Sequence, residues 1–267
     1  MKFFIILLCC FGVKAKILQI GLTVSSGIHL VKQAVGPIEK NDDPTSKERV
    51  SKFARDYVYP CRLNDSNVLQ CIRNFMAANS DCEPVCGPVP DPLCISQNVA
   101  YFPSHNFTFT NKDLKVYGLS NASIITFHYN KVTRNLVFSI ELPSIFSTSP
   151  RTYVTYRRFG QQSLVLADWS FALFRSLILT ATIPMRYKLR MDLADIHPYI
   201  GDNSPDISCS GPGVINTTDP IAIAEYQDFQ KNMATNQREN FLFLSQLYMA
   251  VYIQTNLCDF KVKLYSI

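Results

Sequence analysis

Hydrophobic positions change period twice along this chain. Over 65–76, Val68, Leu69, Ile72, Phe75 and Met76 recur with the i, i+1, i+4, i+7, i+8 spacing of one helical stripe. Asp65 stands where an N-cap belongs. The run DCEPVCGPVPDP over 81–92 then breaks the pattern, because its prolines cannot continue a helix, and a loop is predicted. Further on the period drops to two. Leu136, Phe138, Ile140 and Leu142 alternate with Val137, Ser139 and Glu141. The longest alternation runs over 177–193, where Leu177, Leu179, Ala181, Ile183, Met185, Tyr187, Leu189, Met191 and Leu193 share one parity. Thr180, Thr182, Arg186, Lys188, Arg190 and Asp192 hold the other, which predicts antiparallel sheet with one apolar and one wet face. Pro184, on the wet parity, marks a bend or an edge. Between 114 and 129 the apolar parity switches from Leu114 and Val116 to Ile125, Phe127 and Tyr129, so a bulge or turn is predicted at Gly118.

The helical period returns at the C-terminal end. Asp219 and Pro220 read as an N-cap followed by proline at the first helical position, and Ala222, Tyr226, Phe229 and Met233 form a stripe. After a polar stretch over 235–240, residues 241–253 are apolar on almost every side, broken mainly by Ser245 and Gln246. Such a helix is buried or membrane-spanning, and about 13 residues are too few to span a core that needs about 20. The fold class is therefore α+β, a buried late helix set among apolar sheet faces.

Lys2 followed by an apolar run over 3–13 reads as a signal peptide ending at Ala15. The chain divides into 1–15 as signal, 16–57 as a leader and linker that includes the charged stretch NDDPTSKER, and 58–267 as one large domain. Secretion agrees with four sequons, at Asn64, Asn106, Asn121 and Asn216, each expected on the surface if glycosylated. It also fits the cysteines. Of nine, Cys9 and Cys10 leave with the signal, and Cys61, Cys71, Cys82, Cys86, Cys94, Cys209 and Cys258 remain. An oxidising compartment pairs most of them and leaves an odd thiol free or intermolecular. The spacing of Cys82, Cys86 and Cys94 lacks CxxC pairs and has no nearby histidine, so no metal site is expected. The formal charge of +5, two units of which (Lys2 and Lys14) lie in the signal, is too mild and dispersed for a nucleic-acid partner.

Pro60-Cys61, then Cys71, a helix, and Gly87-Pro88-Val89-Pro90-Asp91-Pro92-Leu93 resemble the opening of the insect juvenile-hormone-binding and takeout family. Val116-Tyr117-Gly118-Leu119-Ser120-Asn121 and the strand over 136–142 followed by Pro143 resemble its later motifs. The resemblance runs from about residue 58 to the C-terminus. It implies a highly curved antiparallel sheet wrapped around a long C-terminal helix, enclosing an elongated hydrophobic cavity. It further implies an extracellular carrier or scavenger of a small hydrophobic ligand, such as a juvenile-hormone-like terpenoid or fatty acid. Pairing of Cys61 with Cys71, and of Cys209 with Cys258, follows from the same resemblance. The leader and the cysteines at 82, 86 and 94 depart from the family pattern, and two of those three are expected to pair.

On this reading Phe138, Ile140, Trp169, Leu179, Tyr187, Leu189, Phe241, Leu244 and Tyr248 are candidates for the ligand wall, each with ordinary core packing as its alternative. No catalytic residue and no cofactor is assigned. The chain has no Gly-x-Ser-x-Gly elbow and no His-Glu-x-x-His, and its four histidines are scattered, with His128 expected on the surface. Two other classes stand beside the carrier: a secreted hydrolase with a triad built from distant positions, and an extracellular interaction protein without ligand, joined to a partner through an unpaired cysteine.

Overall fold

A computed structural model of the chain describes residues 56–103, 105–201, 206–210 and 218–262. The predicted signal, nearly all of the leader and Asn216 lie outside them.

Two very long strands, both rich in β-branched and aromatic residues, frame the molecule. β6 (Asn135–Tyr156) and β7 (Leu164–Pro184) form one antiparallel hairpin, with Asn135 opposite Pro184 and Tyr156 opposite Leu164. The other edge of β6 is shared. β5 (Ser123–Asn130) pairs with its first part and β4 (Phe107–Tyr117) with its last part. β3 (Leu93–Phe102) lies outside β4, and β1 (Tyr57–Val58) outside the end of β5. On the far edge of β7 sit β8 (Asp195–Ile200) and β9 (Asp206–Ser210). A separate ribbon joins β2 (Glu83–Pro84) to β10 (Cys258–Asp259).

The alternation that predicted strands places Leu136, Phe138, Ile140, Leu142, Leu177, Leu179, Ala181 and Ile183 on the buried face. An apolar face can follow a curved surface only where extra residues reset its parity. In β6 the inward set jumps from Leu142 to Ile145, and in β7 from Phe174 to Leu177 across Ser176, whose φ is 54°. β5 is bulged between Ile124 and Thr126, opposite Ile140 and Ser139 of β6. A second reset lies between Ser149 and Thr152 of β6, facing Asp113 of β4 at φ 55°. The sheet thereby bends around the C-terminal helix without closing.

α1 (Val68–Ala78) carries the predicted stripe, with Ile72 and Met76 buried. It starts two residues later than the sequence suggests, with Asn67 at the N-cap position. Asp65 Oδ1 accepts from the backbone N–H of Asn67 at 3.0 Å, so it caps the turn before the helix. α2 (Pro220–Lys231) begins as predicted, the Asp219 side chain accepting from Ile221 N. α3 (Met233–Asn256) contains both the polar stretch and the apolar run in a single helix of 24 residues. No helix among the described residues is long and apolar enough to cross a membrane.

The core has two parts. The larger gathers α1, the first half of β6, the second half of β7, and α3 from Phe241 onward. The smaller is an aromatic knot of Phe102, Phe107, Phe109, Tyr226 and Phe229 at the α2 end.

Three expectations need correction. The alternation over 177–193 is not one strand. β7 ends at Pro184, level with the first residue of β6, and the chain then folds back, Arg190 N donating to Pro184 O at 2.9 Å and Leu189 N to Asn79 O at 2.7 Å. Cys258 does not pair with Cys209. It bonds Cys82, because the β2–β10 ribbon brings those two chain segments side by side. No pair forms among Cys82, Cys86 and Cys94, and Cys86 and Cys94 are exposed free thiols. Cys61 does bond Cys71, ten residues on.

Candidate functional site

Where the two core parts meet, the interior turns polar. Asn111 of β4, Thr152 of β6 and Ser170 of β7 stand side by side on the buried face. Thr152 Oγ1 and Ser170 Oγ both donate to Asn111 Oδ1, at 2.8 and 3.0 Å, and the two hydroxyls lie 2.8 Å apart. Asn98 of β3, opposite Asn111 in register, extends the row across four strands. Its Nδ2 is buried with no hydrogen-bond partner among the described residues. From α3, Asn236, Gln237 and Asn240 are also buried here, Asn240 Nδ2 donating to Gln237 Oε1 at 3.2 Å.

Beside this belt lies a cavity of about 20 Å³. Asn111, Ser170, Gln237 and Asn240 line one part of it, and Phe109, Leu114, Phe174, Phe241, Leu244 and Tyr248 are among the apolar residues of the rest. Every polar side chain in the lining is uncharged. Burial pushes the Tyr248 phenol far above its ordinary range, so it too stays neutral. The volume suits about one water molecule, whereas small-molecule pockets run to roughly 300 Å³ and above. The large antiparallel sheet and the C-terminal helix expected from the family resemblance are both present, and at this place among the described residues the space between them is about 20 Å³.

The predicted wall residues separate accordingly. Phe241, Leu244 and Tyr248 reach the cavity. Phe138, Ile140, Leu179 and Leu189 are packed into the larger core away from it. Tyr187 is 98% exposed, because the chain leaves the sheet at Pro184, and it is removed from the wall. Trp169, 41% exposed, faces outward from β7 and is removed as well. It stacks on Phe171 at 5.8 Å, Phe171 meets Phe146 at 6.2 Å, and Phe146 meets Tyr117 at 5.9 Å. These four rings form an aromatic row across the outer face of β7, β6 and β4.

Sequence reasoning missed the buried polar belt. A signal was present, since Asn236, Gln237 and Asn240 have the i, i+1, i+4 spacing of a single helix face. Of the sequons, Asn64, Asn106 and Asn121 are exposed. Asn106 is tied into the β3–β4 turn, its Nδ2 donating to Arg157 O and its Oδ1 accepting from Tyr101 Oη at 3.1 Å. His128 is half-buried rather than on the open surface, packed edge-on against Tyr57 at 5.1 Å. Among the described residues no cluster of His, Cys, Asp and Glu is arranged to hold a metal ion.

The described residues thus form a disulfide-bonded sheet-and-helix protein with a neutral polar belt beside a small cavity inside and an aromatic row outside. The model of the Fibroin P25 family matches residues 57–262, and the chain belongs to that family. The family differs in name from the juvenile-hormone-binding and takeout family that the motifs resemble. Among solved structures, Takeout 1 of Epiphyas postvittana is similar at 14% identity and a TM-score of 0.47, covering 74% of this chain and 92% of its own. No curated protein matches.

Proposed function

We propose that the protein is an extracellular assembly component that acts by contact with a fibroin chain, the protein for which its family is named. The observation that carries this reading is the match of the Fibroin P25 family model over residues 57–262, and the pocket beside the polar belt, about 20 Å³, is in this form too small for an organic guest. The surface offers a place for such contact: the aromatic row of Tyr117, Phe146, Phe171 and Trp169 is an outward patch of the kind that marks interaction sites. Two disulfides support an oxidising compartment, and with it secretion. Cys86 and Cys94 are exposed free thiols.

A second reading is favoured by the lining of the cavity. An apolar pocket with a few convergent polar groups has the composition of a lipid site, and displacement of α3 would enlarge it around a ligand with a neutral head group. Native mass spectrometry of the secreted protein before and after solvent extraction separates the two. The expected spectrum shows the bare glycosylated polypeptide. A stoichiometric lipid lost on extraction would replace the assembly reading with the carrier.

A further inference from the structure

The end of the sheet where β6 begins and β7 stops carries two neighbouring tips. The first is the β5–β6 turn, residues 131–134. Asn130 Oδ1 fastens it, accepting from Val132 N at 2.9 Å and Thr133 N at 3.1 Å, and Arg134 closes it at φ 56°. The second is the loop after β7, closed by a bridge between Met185 and Leu189, with Arg186, Tyr187 and Lys188 at its tip. Met185 N donates to Arg134 O at 2.8 Å, so the two tips are held side by side.

Each tip sets an exposed apolar side chain between cations. Val132, 69% exposed, stands in the chain between Lys131 and Arg134, and Tyr187, 98% exposed, between Arg186 and Lys188. All four cations are exposed. Lys188 has a counter-charge, bonding Asp81 at 2.5 Å, and nearby Arg190 is held by Asp192. Asp56 adjoins the first tip through its carbonyl, which accepts from Lys131 N at 2.8 Å. Lys131, Arg134 and Arg186 form no ion pair with an acid among the described residues.

We propose that the two tips seat the protein on an anionic lipid surface, with Val132 and Tyr187 entering the headgroup layer and Lys131, Arg134 and Arg186 resting against the anionic headgroups. The proposal stands apart from the assembly reading above. Shape favours a lipid surface over an acidic peptide. A peptide needs a groove or a free strand edge to lie along, whereas turn tips are convex and meet a flat, yielding surface with their ends. Tyrosine suits the membrane interface, its ring in the apolar boundary and its hydroxyl in water. Long basic side chains beside it keep their charge among the headgroups, where each strengthens binding about fivefold.

The experiment uses the full secreted chain and sedimentation with vesicles of phosphatidylcholine, alone or mixed with phosphatidylserine. Wild type is compared with Lys131→Glu/Arg186→Glu and with Val132→Ser/Tyr187→Ser, and thermal unfolding checks that each keeps its fold. Wild type is expected to bind the mixed vesicles and not the neutral ones, and added salt to weaken the binding. The charge variant should bind at least about tenfold more weakly, and the apolar variant should lose the part of the binding that resists salt. At 98% exposure Tyr187 takes no part in the core, so Tyr187→Ser alone carries the test should a double variant unfold. Wild type that ignores mixed vesicles overturns the proposal, and so does binding that survives either double variant in full. Wild-type binding to polyglutamate but to neither vesicle assigns the tips to an acidic polypeptide and overturns it too. None of these outcomes bears on fibroin binding, which tests the assembly reading separately.

Discussion

Asp91 and Gly118 explain why two short motifs, 27 positions apart, occur together. The Asp91 carboxylate accepts from Gly118 N at 3.0 Å, from Ser120 N at 3.2 Å and from the Ser120 hydroxyl, fastening the loop before β3 to the turn after β4. Gly118 has φ 100°, and a Cβ there would meet Ser144 O at 2.4 Å, where β6 resets its parity. Gly118→Ala therefore combines a left-handed backbone with a clash against main chain. We expect a loss of about 2–4 kcal/mol, read as a lowered denaturant midpoint at unchanged slope. Asp91→Ala removes three acceptor contacts at an exposed site and should cost less, about 1–2 kcal/mol. Both motifs are visible in the sequence as strings. The bond between them is not, because nothing local in either string says that the loop and the turn meet across a strand pair.

At the scale of elements, periodicity located the helices and the paired strands, and it failed where tertiary position overrules it. Residues 185–193 keep the alternation of β7 but have no strand to pair with, since β6 starts at Asn135 opposite Pro184. The disulfides show the same limit. Cys61 and Cys71 are close in sequence, but the ribbon that joins Cys82 to Cys258 is a contact over 176 residues. Loop-closure entropy makes the long link the more stabilising one, about 5 kcal/mol against about 3 kcal/mol. Paired serine replacements at 82 and 258 should lower the unfolding free energy by about 2 kcal/mol more than those at 61 and 71. A pH effect belongs to the β1–β5 contact. Burial beside Tyr57 and Tyr59 holds the His128 imidazole below its ordinary value of 6.5. The unfolded chain thus takes up the proton more readily than the folded one. Stability from this contact is complete above pH 6.5 and is lost as the pH falls from there through the depressed folded value. Urea midpoints measured from pH 8 down to about 5 should fall more steeply for wild type than for His128→Gln.

For the whole molecule, the decisive quantity is how much of the interior is occupied. The family resemblance implied space around the late helix; among the described residues the bent sheet fills two core clusters, with the small mixed cavity between them. Composition cannot distinguish a packed interior from a hollow one, because both need the same inward faces. Gln237 and Asn240 of α3 share the lining of the cavity with Asn111 and Ser170 of the sheet, a juxtaposition that would fix how the helix lies against the strands. Asn111→Leu removes the acceptor shared by Thr152 and Ser170 and leaves two buried hydroxyls with only each other. A loss of about 2–3 kcal/mol is expected. Replacing all three together, Asn111→Leu with Thr152→Val and Ser170→Ala, removes every stranded group and should recover most of that loss. If the belt serves placement rather than stability, this triple variant will unfold at a midpoint near wild type but bind a hydrophobic dye such as ANS in its native state, as α3 gains alternative seatings. A triple variant as dye-inert as wild type would show that apolar packing alone fixes the helix.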